Sequence, residues 1–475
     1  MRFNTQDPDL DRSLQKVLFT SIPSTFFFII IQGSAYTAFV RALSRQDSLY
    51  GFLAALPLIA GIFRLLSAFL IEKFHRRREV FLIALYTQRL SWIPFALIPY
   101  LIPSTEPRLR IVLAVLCLSL HGAGGAIGDV AFISWLTDLV PAEIRGSYLG
   151  QRNRLGQITA MLTPLVVGWY LDRFPGFFGL STALIAAAIS GVADISIWLW
   201  VKHPAMKENT PPLPLKEMLF VPLRLLPYRK LLFFWATALF AFGLAGPFFM
   251  VYVLEVLNFS YTEASIQLQV LPGIMAFLLS RFLGRSIDEY GSKPLLRLCM
   301  SISTSLPLFW LISTPRFPWP QLLANLLGGV TWIGLDMAQM SLMMKILPQE
   351  KRSFYIAGYG LTAWLAGNAT GSMFGGFLAD RLRPLIEGNG LRFLGAPLTV
   401  YQVIFFFSFI LRFLVLTLIL PRIEEPEAKS TREVLASLRR NARQGRSFLQ
   451  IVKKTTENKI PASLPPSEIN LKEKG

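Results

Sequence analysis

The sequence predicts an all-α polytopic membrane protein in which twelve transmembrane helices form two pseudo-symmetric six-helix halves. Only 16% of the residues are charged and 53% are apolar, whereas about a quarter of the residues of a typical soluble protein are charged. Apolar runs of nearly twenty residues recur along most of the chain, and each is long enough to span a bilayer as a helix. Short charged motifs also repeat at the ends of corresponding runs in the two halves.

The predicted spans divide into two sets of six, separated by a polar stretch. The first set is 14–40, 49–71, 80–102, 111–136, 155–171 and 177–201. The second set is 231–254, 266–283, 295–312, 322–346, 355–378 and 398–420. The predicted organisation is therefore an N-terminal tail (1–13), a first half (14–201), a linker (202–230), a second half (231–421) and a C-terminal tail (422–475).

The charges of the loops predict how the protein is oriented in the membrane. If both termini are cytoplasmic, the cytoplasmic loops carry more Lys and Arg than the opposite loops, which is the usual bias of membrane proteins. We expect a multi-pass protein of the plasma (inner) membrane with cytoplasmic termini. The net charge of +18 follows from this bias, and no nucleic-acid-binding motif accompanies it. Repeated prolines prevent one continuous helix in the linker.

The C-terminal tail is basic and allows two interpretations. Its middle, "REVLASLRRNARQGRSFLQIVKK", could form a helix on the anionic inner leaflet. It could equally be a solvated tail whose charges help to orient the protein.

Three pairs of motifs repeat between the spans. "GRSIDEYGSK" begins at residue 284 directly after span eight, and a weaker copy, "AFLIEKFHRR", begins at residue 68 at the end of span two. "PAEIRGSY" follows span four and "PQEKRSFY" follows span ten. "GWYLDR" and "GFLADR" end spans five and eleven on the opposite side of the membrane. Such a pattern is typical of three-helix repeats of inverted topology within each half.

With these motifs, residues 14–421 resemble the major facilitator superfamily. The signature of that family between spans two and three is Gly-x-x-x-Asp-Arg-x-Gly-Arg-Arg/Lys, and "GRSIDEYGSK" departs from it by placing Glu289 at the first Arg position. The stronger copy usually lies in the first half of such proteins, and here it lies in the second. The resemblance implies a gating motif that stabilises the state closed to the cytoplasm. Its candidate residues are Glu72, Arg76, Arg77, Gly284, Asp288, Gly291 and Lys293.

Four of the charged residues within the spans occupy matching depths in the two halves, at positions where charges are costly and usually paired or functional. Arg64 and Asp129 lie at similar depth in spans two and four, and Arg281 and Asp336 repeat this in spans eight and ten. The arrangement predicts two ion pairs, Arg64–Asp129 and Arg281–Asp336. A structural role as packing or latch pairs and a role of Asp129 or Asp336 in taking up a proton both remain open.

Polar residues at mid-membrane depth are candidates for a transport cavity. The resemblance implies that spans one, four, seven and ten line such a cavity. His121 lies in span four and could bind substrate, relay protons or pack against a neighbour. Arg89, Asp194 and Arg412 fall on helices that the family uses as outer supports, so we expect structural roles. The other cavity candidates are Gln32, Tyr36, Gln157, Gln267, Trp332, Trp364 and Asn368.

These observations predict a secondary active transporter that moves a small solute by alternating access, coupled to protons or another ion. The chain has no phosphate-binding loop and no metal or nucleophile constellation, so neither an enzyme nor a cofactor is predicted. "AMLTPLVVG" in span five retains Pro164 and Gly168 of the exporter motif of the family, which favours export slightly. The expected partners are an unidentified small molecule and the bilayer, and we expect a monomer. The alternative is a lipid-handling or non-transporting relative: a flippase, a sensor or a pigment-delivery protein.

Overall fold

The computed structural model describes residues 7–74, 76–141, 143–204, 224–347 and 352–425, and its helices form twelve rods within those ranges. The first half contains α1 (Pro8–Leu43), α2 (47–74), α3 (Arg77–Leu101), α4 (Pro107–Leu139), α5 (Arg145–Arg173) and α6 (Phe177–Trp200). The second half contains α7 (Leu226–Val256), α8 (Tyr261–Tyr290), α9 (Ser292–Ile312), α10 (Trp319–Ile346), α11 (352–386) and α12 (Val400–Arg422). Most of the predicted linker, nearly all of the predicted C-terminal tail and the start of "PQEKRSFY" lie outside the described residues.

Eight of the helices in the described part of the chain are long and apolar enough to cross a membrane: α1, α3, α4, α6, α7, α8, α9 and α12. The other four rods, α2, α5, α10 and α11, are more polar or are divided into shorter helices. All four of these rods lie at the interface between the halves, where a transport path needs polar side chains. The order of the rods agrees with the twelve predicted spans.

The N-terminal boundary differs from the sequence prediction. Residues 8–13 were expected in a tail, whereas α1 already begins at Pro8. The carboxylate of Asp7 accepts hydrogen bonds from the backbone N–H groups of Asp9 and Leu10, at 2.9 and 3.2 Å, and proline is well tolerated in the first turn of a helix. A capped polar turn therefore extends the helix beyond its apolar run.

A short hairpin, β1 (Arg392–Phe393) and β2 (Ala396–Pro397), connects α11 to α12. Leu394 and Gly395 form its two-residue turn with φ of 51° and 77°, the positive values that match the twist of paired strands. The hairpin sets α12 antiparallel to α11.

Each half packs in the same way. In the first half α1 packs on α5 and α6, and α3 packs on α4; in the second half α7 packs on α11 and α12, and α9 packs on α10. Between the halves, the main contacts join α2 to α11 and α5 to α8. These two contacts are equivalent under exchange of the halves, as expected for a duplicated six-helix unit.

The hydrophobic core shows where the halves meet. One cluster of buried residues runs through both halves and includes Phe39, Leu171, Phe248 and Tyr401. Towards the other face of the protein the core divides into one cluster per half. We call the face near Asp47, where the core is shared, the closed end, and the opposite face, where the described chain begins, the open end.

Candidate functional site

A central cavity of about 430 Å³ lies between the halves near the middle of the helices. Its walls come from α1, α2, α3 and α4 on one side and from α7, α10 and α11 on the other. The volume is within the usual range for small-molecule sites.

A second cavity of about 760 Å³ lies between α1 and α5 of the first half and α8 of the second half, towards the open end, and we call it the lateral cleft.

Five of the eight predicted cavity residues line the central cavity: Gln32, Tyr36, His121, Trp332 and Asn368. They come from four different helices of both halves.

Gln157 lines the lateral cleft instead of the central cavity. Gln267 and Trp364 line neither cavity. The Gln267 side chain accepts a hydrogen bond from the Gln321 side chain within the second half. Depth in the membrane does not specify the face of a helix, which is why these three side chains lie elsewhere.

His121 is almost fully buried at the cavity wall, and its ring is held in place by its neighbours. Its Nδ1 atom accepts a hydrogen bond of 2.9 Å from the indole N–H of Trp92. The ring is also hydrogen-bonded to the backbone of Gln88. Because an indole nitrogen only donates, Nδ1 carries no proton. Of the three interpretations of His121, this geometry matches the packed and hydrogen-bonded one.

A buried arginine lies behind the cavity wall in each half. In the first half, Arg89 pairs with Asp194 at 3.4 Å and places its guanidinium 4.1 Å from the ring centre of Phe27 in α1. In the second half, Arg412 donates to the carbonyl of Ser303 at 3.0 Å and lies 4.4 Å from the ring centre of Phe242 in α7. The helices α1 and α7 correspond between the halves, so each half supports its cavity-facing helix with a cation–π contact.

The closed end is held by an ion-pair network that joins both halves. Arg41 of α1 donates to Asp47 of α2 at 2.7 Å and to the carboxylate of Glu255 in α7 at 2.6 and 2.8 Å. Asp47 is fully buried and also accepts from Arg383 of α11 and, at 3.0 Å, from the hydroxyl of Tyr401 in α12. Separating the halves at this end would leave buried charges without partners, which is costly.

Two aspartates at the closed end cap helices of the opposite half. Asp172 at the end of α5 accepts hydrogen bonds from the first backbone N–H groups of α8, at 2.7 Å from Tyr261 and 3.0 Å from Thr262. Asp380 in α11 accepts equivalent bonds from the first N–H groups of α2, at 3.0 Å from Asp47 and 2.8 Å from Ser48. These aspartates belong to "GWYLDR" and "GFLADR", so this repeated motif forms two pseudo-symmetric caps across the interface.

The glycine in each of these motifs allows the close approach that the caps need. A Cβ on Gly168 would lie 2.7 Å from the Cα of Thr262, and a Cβ on Gly376 would lie 2.3 Å from the carbonyl oxygen of Asp47. Any larger residue at either position would force the halves apart.

The four deep charges are arranged differently in the two halves. A guanidinium nitrogen of Arg64 lies 3.6 Å from a carboxylate oxygen of Asp129, and the two side chains are 56% and 46% exposed. Arg281 and Asp336 are both exposed, and the described residues contain no ion pair between them. The predicted Arg281–Asp336 pair is therefore absent from this conformation. Equal depth in two helices did not ensure that their side chains face each other.

The described residues of the predicted gating motif contact only their own half. Arg77 is buried and pairs with Asp138, whereas Arg76 pairs with Glu79 on the surface at 3.2 Å. Gly291 has φ of 95° and is the N-cap of α9, directly before Ser292. The backbone N–H of Lys293 donates to Glu425 at 2.6 Å.

Gly284 and Asp288 complete this motif at the end of α8. A Cβ on Gly284 would lie 3.0 Å from the methyl group of Met337 in α10, so α8 and α10 approach closely here. Asp288 is exposed, and the side chain of Glu72 lies outside the described part of the structure. The gating role of the motif therefore stays a prediction.

Sequence reasoning did not select the residues that close the site. The residues predicted from the sequence include none of Arg41, Arg383, Asp47 and Glu255. Their positions could have indicated them. Each of the four residues lies beside an apolar run, at the same face of the membrane as "GWYLDR" and "GFLADR". Within the described part of the chain, no group of three His, Cys, Asp or Glu residues could hold a metal ion.

Comparison with known proteins identifies the fold. The family profile described as Major Facilitator Superfamily matches residues 17–366. Among solved structures, a mutant of the nucleoside transporter NupG is similar with a TM-score of 0.66 at 14% identity, covering 87% of this chain and all of that chain. A bacterial homologue of the human lysosomal transporter Spinster, in an inward-facing and unoccupied conformation, gives 0.61 at 16% identity, covering 89% and 100%. A D-xylose-proton symporter gives 0.59 at 16%, covering 86% and 97%. No curated protein sequence matches the chain.

Proposed function

The chain belongs to the Major Facilitator Superfamily and is a membrane transporter; from this premise we propose that it moves a small solute by alternating access between its two halves. The observation that carries the proposal is the central cavity, which lies between the halves and is sealed at one end by contacts that both halves share. At the other end the core is divided, so the halves can separate there while the closed end stays intact. Each half would move as a packed unit around the cavity.

We further propose that the open end faces the cytoplasm, with both termini on that side of the plasma membrane and the protein acting as a monomer. The loop charges support this orientation. Proton coupling is supported by the Arg64–Asp129 pair, which is partly exposed, lies near Gly360 of α11 and includes a carboxylate that could take up a proton. Export is supported only by the partial glycine and proline motif in α5.

Alternating access can be tested without knowing the substrate. The chain has two cysteines, Cys117 and Cys299, which are both buried and can be replaced by alanine. Asn368→Cys then places one thiol in the central cavity. A membrane-impermeant maleimide, applied to right-side-out and inside-out vesicles, reports which face of the membrane reaches this thiol. We call this the cavity-labelling assay. Ser104→Cys, which is exposed in the loop between α3 and α4, is the control for reagent access at the closed-end face.

A transporter should be labelled at Asn368→Cys from both faces, because both of its states are populated in turn. A disulfide between Ser34→Cys and Ser265→Cys should then abolish labelling from the closed-end face only, since the two hydroxyl oxygens lie 3.3 Å apart across the interface. Reduction of the disulfide should restore the labelling. If the thiol is labelled from one face only without the disulfide, the protein does not alternate, and a fixed sensor is favoured.

A lipid-handling relative is the second candidate, favoured by the lateral cleft between α5 and α8. Its wall combines apolar residues such as Met161 and Phe277 with polar ones such as Asn153 and Ser280. A lipid could place its tail and headgroup along such a wall. Movement of fluorescent phospholipids between the leaflets of proteoliposomes distinguishes this function, because a transporter of water-soluble solutes leaves their distribution unchanged.

A further inference from the structure

We propose that the central cavity takes an uncharged ligand that carries a flat ring with hydrogen-bonding groups at its edge. This inference rests on the proposed function, since it names the chemical class of the solute that would be carried. It is based on the rings, the charges and the free polar groups of the cavity wall.

Aromatic rings line the cavity from both halves. Tyr36, Tyr50 and Trp92 belong to the first half, and Phe242 and Trp332 belong to the second. The rings of Phe242 and Trp332 lie with their centres 4.9 Å apart, and Trp332 remains 41% exposed. An exposed aromatic face such as that of Trp332 can bind a flat ring by stacking or edge contacts.

The charges around the cavity disfavour an ionic ligand. The residues that line it include no Asp, Glu, Lys or Arg. A charged ligand would therefore lose its hydration without gaining an opposite charge, which is costly. Aromatic cages often bind cations, but here Arg412 already lies behind Phe242 and Arg89 behind Phe27. Among the described residues Arg412 has no carboxylate partner, so its positive charge opposes a cation in the cavity, whereas the charge of Arg89 is balanced by Asp194. The Phe242 ring separates Arg412 from an anion in the cavity.

Two carboxamides give the cavity its hydrogen-bonding capacity. Tyr50 donates to the carbonyl of Pro247 at 3.1 Å, so its hydroxyl proton is already used. Gln32 of α1 and Asn368 of α11 line the cavity from opposite halves. Among the described residues, neither the Gln32 side chain nor the Asn368 amide nitrogen has a hydrogen-bond partner. Each carboxamide offers a donor and an acceptor, which matches a ligand edge with both.

The test uses matched probes that share a ring and differ in charge. Carboxamide, carboxylate and primary-amine derivatives of phenyl, indole and quinoline rings are incubated with the full-length protein in nanodiscs. Retained compounds are measured by mass spectrometry, and cyclohexanecarboxamide is the control without an aromatic ring. We expect each carboxamide to be retained at least about tenfold more than the carboxylate and amine of the same ring, and more than the cyclohexane control.

Two variants connect retention to the cavity wall. Trp332→Ala should reduce retention of the carboxamides, and it is checked for folding by its melting temperature. Gln32→Glu introduces an anion at the cavity without removing a ring, so retention should shift from the carboxamide towards the amine. Gln157→Glu makes the same change in the lateral cleft and should leave the preference unchanged.

Stronger retention of the charged probes, equal retention of the cyclohexane control or retention of no carboxamide would each overturn the inference. None of these results affects alternating access, because the cavity-labelling assay uses no ligand. Conversely, suppose that the thiol of Asn368→Cys is labelled from one face only while the carboxamide probes are still preferred. That result would overturn the proposed function and leave the ligand class in place.

Discussion

Asp47 is a fully buried carboxylate at the closed end that accepts hydrogen bonds from Arg41, Arg383 and Tyr401. Asp47→Asn removes its charge with little change of shape. We expect the closed end to lose about 3 kcal/mol, the lower part of the range for breaking a buried ion pair, because Arg41 keeps its contact with Glu255. The melting temperature should fall by several degrees, and labelling of the cavity thiol from the closed-end face should rise.

Asp9→Asn is the control for this change, because Asp9 pairs with Arg12 on the exposed surface of the same half. Asp9→Asn should change neither the melting temperature nor the labelling of the cavity thiol, since exposed ion pairs contribute little to stability. If Asp47→Asn behaves like Asp9→Asn, the network does not hold the closed end.

Glu425 predicts a pH dependence at the open end. Burial raises the pKa of its carboxyl group, but hydrogen bonds from Lys345 and from the backbone N–H groups of Lys293 and Ser292 outweigh burial and lower the pKa overall. Because the pKa is lower in the folded protein, the stabilisation is complete above the ordinary pKa of a glutamate. It is lost as the pH falls through the folded value.

Glu425→Gln should therefore lower the melting temperature at pH 7 by roughly 2–4 °C, the shift expected for about 1 kcal/mol. The difference between the variant and the parent should shrink as the pH falls below about 4. Glu424→Gln is the control, since Glu424 forms only an exposed pair with Lys230. A difference that stays constant as the pH falls from 7 to about 3 would contradict this assignment.

At the scale of single residues, the sequence predicted which charged and polar side chains lie deep in the helices. It was a poorer guide to the residues that these side chains contact. Hydropathy gave the depth of Arg64 and Arg281 equally well, but only Arg64 meets the aspartate that was predicted for it. Rotation about the helix axis decides which side chains face each other, and it depends on packing between helices that are distant in sequence. The same reason explains why Gln32 faces the central cavity while Gln267 does not.

At the scale of elements, the closed end depends on two helix ends that meet glycines of the opposite half. Gly168→Ala and Gly376→Ala each insert a methyl group where backbone atoms lie at 2.7 and 2.3 Å. Overpacking of this kind costs about 1–3 kcal/mol. We expect each variant to raise closed-end labelling of the cavity thiol at least about fivefold, because the halves can no longer meet fully there.

Gly61→Ala is the matched control for the glycine variants. Gly61 also lies in a rod at the interface, α2, but a Cβ at this position would meet no atom within 4 Å. This variant should be labelled like the parent. If all three glycine variants are labelled alike, steric contact does not control the closed end.

The elements themselves were largely predictable from the sequence. Apolar runs located the rods because a membrane-spanning helix must satisfy its own backbone hydrogen bonds over a fixed length. The repeated "GWYLDR" and "GFLADR" motifs indicated related ends of α5 and α11. Their function as caps on α8 and α2 was not predictable, because the sequence does not state which helix of the other half is in contact.

At the scale of the whole molecule, the structure combines a sealed closed end with a divided core at the open end. The Arg64–Asp129 pair lies close to the second half, since a Cβ on Gly360 of α11 would lie 4.0 Å from the Arg64 guanidinium. Asp336, in α10 of the second half, lies near Tyr359 of α11. Closing the open end would therefore bury Arg64 and Asp129 against the second half, where an ionised carboxylate is costly unless it is paired.

If Asp129 takes up the coupling proton, its protonation reduces the cost of closing the open end and frees Arg64 to approach Asp336. Lowering the pH from 8 to 6 should then increase labelling of the cavity thiol from the closed-end face and decrease it from the open-end face. Asp129→Asn, which mimics the protonated form, should show the low-pH ratio at every pH. Asp9→Asn is the control for removing a carboxylate from the first half, because the Asp9–Arg12 pair is exposed. A ratio that changes with pH equally in the parent and in Asp129→Asn would assign the proton site to another residue, because the variant has no titratable group at position 129.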